Sequence, residues 1–126
     1  MTSVASSQTT VVDVCAYDRL TPDLGAAALV GDVQVALFRL PDGSVHALGN
    51  VCPFSGAAVM SRGITGTRGE VPTVASPVYK QVFSLLDGRC LDPMGMEPRP
   101  GRGQDLPVYP VRVNDGRVAI ELVDGE

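Results

Sequence analysis

Apolar residues along this chain either alternate with polar ones or gather in short β-branched stretches, and turn-forming residues separate the stretches. Val11-Val12-Asp13-Val14-Cys15-Ala16-Tyr17 reads as a first strand, ended by the turn chemistry of Asp18 to Gly25. Ala26 to Val30 predicts a second strand, and Gly31-Asp32 reverses the chain into a third, Val33 to Leu40. The third is apolar on both faces for most of its length, the pattern of a central strand covered from two sides.

Asp-Gly between two apolar runs is a strong hairpin signal, because both residues tolerate the positive φ that tight β-turns require. It occurs in Pro41-Asp42-Gly43-Ser44, before Val45-His46-Ala47-Leu48. It recurs at Asp87-Gly88, between Phe83–Leu86 and Arg89–Leu91, and at Asp115-Gly116, between Val111–Val113 and Val118–Ile120. Three such turns predict an all-β, antiparallel protein. No stretch holds apolar positions at helical spacing with a cap at each end, so no helix is expected. In the last strand Val118, Ile120 and Leu122 alternate with Ala119 and Glu121, which buries one face and wets the other. Pro107 and Pro110 lack an N–H and place the short strand between them at an edge or a bulge. Gly63 to Gly69 has the glycines of a phosphate-cradling loop but opens no helix; it runs into a strand beginning near Glu70 and is read as a turn. Asp92 to Gln104 is the longest stretch without a secondary-structure signal and is read as a connection.

With 126 residues the chain forms one domain, expected over residues 10–122 with flexible tails at 1–9 and 123–126. A net charge of −4 with scattered basic residues argues against nucleic acid and anionic membrane as partners. Residues 1–9 lack the basic start and apolar run of a secretion signal, and Cys15, Cys52 and Cys90 are odd in number. A cytoplasmic protein with reduced thiols is expected.

Two short loops carry the candidate chemistry. Val51-Cys52-Pro53-Phe54-Ser55-Gly56-Ala57 and Ala75-Ser76-Pro77-Val78-Tyr79-Lys80-Gln81 resemble the paired cluster loops of the Rieske family. That resemblance implies a fold of stacked antiparallel sheets. In the family, Cys-x-His and Cys-x-x-His bind a [2Fe–2S] centre through two thiolates and two imidazoles. On this sequence the four positions fall on Cys52, Phe54, Ser76 and Tyr79, so one ligand of four is retained. The chain has one histidine, His46, and three cysteines, which is too few for either a Rieske or a four-cysteine cluster. No zinc-ligand spacing is present.

Asn50 to Ala57, Ser61 to Ile64, Ala75 to Phe83 and Leu106 to Val113 together resemble the small subunit of assimilatory NAD(P)H-dependent nitrite reductase. Members of that family often carry an acidic residue where Cys52 stands. The resemblance implies a small accessory subunit in nitrite reduction to ammonium, whose partner, the large subunit, holds the FAD, the siroheme and a [4Fe–4S] cluster. It implies no cofactor, metal or catalytic residue in this chain.

Phe54 and Tyr79 are expected to fill the space that two imidazoles would occupy; the alternative is an exposed pair that docks a partner. Cys52 is read as a structural thiol, since His46 has no evident orienting carboxylate to make it a base; a thiol redox-sensing module is the alternative. Cys15 and Cys90 behave as small apolar residues. Arg62, Lys80 and Gln81 are expected at an exposed tip, either as an ordinary solvated surface or as a recognition edge for the large subunit, and Met94 and Met96 could add adaptable apolar contacts to a partner.

Overall fold

The computed structural model describes residues 9–101 and 103–123. Among the described residues eleven strands form three antiparallel sheets. The first contains β1 (Thr9–Ala16), β11 (Arg117–Val123) and β10 (Val111–Asn114), in that order. The second runs β2 (Ala26–Val30), β3 (Val33–Arg39), β4 (Val45–Gly49), β9 (Val108–Tyr109). The third runs β5 (Ile64–Arg68), β6 (Val71–Ala75), β7 (Val82–Ser84), β8 (Cys90–Asp92). Among the described residues helical turns are confined to two short 3-10 segments, Tyr17–Arg19 and Met60–Arg62.

The alternation of side chains along β3 explains the stacking. Val35 and Leu37 face one core with Leu20, Val30, Ala47, Val118 and Ile120, against the first sheet. Ala36 and Phe38 face the other, with Leu48, Phe54, Met60, Val74, Phe83 and Leu85, against the third. The middle sheet is therefore buried on both sides, as the apolar run of β3 predicts. All three Asp-Gly turns close antiparallel pairs, and β9, between its two prolines, is an edge strand.

Three expectations change. Gly63 to Gly69 is not a turn but chiefly β5, in register with β6 from Ile64↔Ala75 to Arg68↔Val71. Its β-branched Ile64, Thr65 and Thr67 suit an extended backbone, and the reversal comes at Gly69-Glu70 instead. Leu85 and Leu86 leave the ladder after Ser84 and form the turn. Finally, Thr9 and Val123, assigned to tails, pair with each other across β1 and β11; the remaining tail residues lie outside the described residues.

Candidate functional site

The two central loops have the same backbone construction. In the first, the Cys52 N–H donates to the Ala57 carbonyl (2.9 Å) and the Gly56 N–H to the Cys52 carbonyl (2.8 Å). In the second, the Ser76 N–H donates to the Gln81 carbonyl (2.8 Å) and the Lys80 N–H to the Ser76 carbonyl (3.0 Å). Gly56 and Lys80, equivalent in this pattern, both have positive φ, 78° and 69°. Glycine adopts that conformation freely, whereas in lysine it is uncommon and is held by the surrounding bonds.

Segment 92–104, expected as a plain connection, is fastened to both loops. The Arg99 N–H donates to the Pro53 carbonyl (2.9 Å) and Arg99 Nε to the Ser55 carbonyl (3.2 Å). The Gln81 side-chain amide lies 3.4 Å from Met96 Sδ. Arg99 was not legible in the sequence, because it sits in a segment with no periodicity. Ser55 carried a weak signal, as a short polar side chain in the first loop, where its hydroxyl accepts from the Ala57 N–H.

Cys52 is fully buried in the core beneath these loops. Burial pushes its thiol up, but the backbone N–H groups of Ser55 and Phe54, with the hydroxyls of Ser55 and Ser76, outweigh that and leave it below the ordinary cysteine value. Burial pushes the thiols of Cys15 and Cys90 up. Reactivity needs access as well as thiolate character, and access decides here. A maleimide at neutral pH is expected to label half-buried Cys15 first, with Cys52 and Cys90 modified after unfolding, as followed by peptide mass spectrometry. Prior labelling of Cys52 in the native protein would contradict this burial.

The four positions that correspond to Rieske ligands diverge. Phe54 is 5% exposed and packs on Phe83, with ring centroids 6.2 Å apart at 53°. Ser76 is buried. Tyr79, expected to pack beside Phe54, is instead 43% exposed. One apolar ring in the core meets the packing demand, and the phenol keeps its hydroxyl in water. A thiol, a phenyl ring, a hydroxyl and an outward phenol do not match two thiolates and two imidazoles, so these residues do not fit a [2Fe–2S] centre.

The proposed recognition residues also separate. Lys80, Met94 and Met96 are exposed, together with Val78. Gln81 is not at the surface: its side chain is fully buried, and its Oε1 has no partner among the described residues. It opens a run of buried residues, Gln81 to Leu85, that carries the chain into β7. Arg62 is exposed but lies in a different place, a cleft of about 1110 Å³ whose lining includes His46 and Asp42 and none of the tip residues. There the Ser44 hydroxyl donates to Asp42 Oδ1 (2.6 Å) and lies 3.1 Å from His46 Nε2. Burial lowers the pKa of His46, and Cys52 is not among the groups that act on it.

The profile of the Rieske-like [2Fe-2S] domain family matches residues 10–121. The nitrite reductase (NADH) small subunit of Escherichia coli K12 is 37% identical over 86% of this chain and 94% of its own length. A Mycobacterium tuberculosis crystal structure assigned as an NADH-dependent nitrite reductase small subunit is 53% identical, covers 92% of this chain and 97% of that one, and superposes with a TM-score of 0.80. A nitrite reductase NAD(P)H large subunit from Klebsiella oxytoca is 41% identical over 83% of this chain, which spans 10% of that protein's length. The chain therefore belongs to the Rieske-like domain family and, within it, to the small subunits of NADH-dependent nitrite reductase.

Proposed function

We propose that this chain is a cluster-less accessory subunit that binds and orders the large subunit of a cytoplasmic NAD(P)H-dependent nitrite reductase, an enzyme reducing nitrite to ammonium. FAD, siroheme and a [4Fe–4S] cluster belong to the large subunit in this reading, and the chain contributes no catalytic side chain. One observation carries it: the first imidazole position is a phenylalanine committed to the core. A Rieske domain refilled in this way has given up electron transfer through its own cluster and keeps its scaffold. Tyr79, Lys80, Met94 and Met96 then form a mixed apolar and basic surface on loops held by rigid sheets, the usual arrangement of a recognition site. The Klebsiella protein supports the pairing, since a sequence like this one lies within a protein named as the large subunit.

The test is NADH-dependent nitrite consumption by the cognate large subunit, with and without this chain. Stimulation, or co-purification with a gain in stability, is expected. No effect on turnover, stability or co-purification would overturn the reading.

A further inference from the structure

The cleft away from the tip is lined in part by Ile64 to Thr67 of β5, a strand with a free edge. β5 ends its sheet and pairs with β6 alone, and Thr67 stands opposite Pro72. Pro72 has no N–H to offer, and its carbonyl accepts from the Leu85 N–H, on the β7 side. Thr67 is therefore a non-hydrogen-bonded position of the β5–β6 pair, and its own N–H and carbonyl turn outward. Strand period two gives Thr65 the same outward pair. Among the described residues no backbone partner meets these four groups. A strand edge of this kind is a template for another strand unless it is covered.

The surroundings favour a particular occupant. Leu24, Ile64 and Leu86, all exposed, rim the cleft and would receive apolar side chains. Asp23, Asp42 and Glu70 set three carboxylates against the single guanidinium of Arg62. Asp23 sits at the strand itself, accepting a 2.9 Å hydrogen bond from the Thr65 hydroxyl.

We infer that the outward Thr65 and Thr67 edge takes an extended segment of the large subunit as a further antiparallel or parallel strand, one that alternates apolar with Lys or Arg side chains. Main-chain hydrogen bonds would give such a strand its register and the acidic cleft its charge preference. The inference rests on the subunit reading above and adds a surface distinct from the tip.

Affinity for the cognate large subunit would be measured for the wild-type chain, Thr67→Pro, Thr67→Ala and Glu70→Lys. Proline at an outward edge position removes the donor without touching the β6 ladder, so binding should fall roughly tenfold or more. Thr67→Ala keeps the N–H and should bind like wild type, and Glu70→Lys should weaken binding more at low salt than at high salt. Amide exchange covers the case in which the proline variant does not fold: in the wild-type chain Thr65 and Thr67 should exchange rapidly alone and slowly in the complex. No binding by the wild-type chain would overturn the subunit reading and this inference with it. Wild-type binding with Thr67→Pro equally tight, or with unprotected Thr65 and Thr67, would overturn the inference alone. A free chain that dimerises through this edge, seen by light scattering and abolished by Thr67→Pro, would assign the edge to a second copy and overturn it as well.

Discussion

Replacing Phe54 by alanine should destabilise the domain by about 3–5 kcal/mol, the usual result for truncating a buried aromatic side chain. The ring lies in the core between the second and third sheets, against Phe83, among residues that are themselves closed to solvent. Its removal leaves a void under both tip loops, and the rigid sheets on either side cannot collapse to fill it. For a domain of this size the loss corresponds to a fall in Tm of roughly 10 °C or more. Phe54→Leu, which keeps most of the apolar fill, should recover much of it. Tyr79→Ala, at the exposed counterpart position, should shift stability by less than about 0.5 kcal/mol. Equal melting of Phe54→Ala and wild type in thermal denaturation would show that the ring does not support the tip.

The second large effect belongs to Gly88, in the turn between β7 and β8. Its φ of 76° is costly for any residue with a Cβ, and a Cβ there would collide with the Leu106 carbonyl. The Gly88 carbonyl accepts from the Leu106 N–H (2.8 Å), so this turn docks the segment that leads into β9. Left-handed backbone costs an L-residue about 1–2 kcal/mol, and overpacking adds about 1–3. Gly88→Ala should therefore lose about 2–5 kcal/mol. Gly116, in the β10–β11 turn, has the same φ of 76° with open space around it. Gly116→Ala should lose the conformational part alone, about 1–2 kcal/mol. Urea denaturation of the two variants separates the terms, and equal losses would remove the role given to Leu106.

Much of the fold was legible because its devices are local. An Asp-Gly pair acts through the φ angles of two residues, and the apolar run of β3 reports burial on both faces whatever lies opposite. β5 was misread because Gly63, Gly66 and Gly69 together are a turn signal, whereas only Gly69-Glu70 reverses the chain and the β-branched Ile64, Thr65 and Thr67 hold the stretch extended against β6.

The sequence by itself determined the all-β class, the three hairpins, the two loops, and the shortage of ligands, since one histidine cannot supply two imidazoles in any conformation. Tertiary structure alone decided which loop side chains face inward. It sent Phe54 into the core and Tyr79 to the surface, buried Gln81, placed Arg62 in a cleft apart from Lys80, and fastened Arg99 across the first loop. Composition and spacing constrain what a residue can do chemically. Which residues share a face depends on how sheets from distant parts of the chain stack, and here that stacking separates the exposed tip from the open edge of β5.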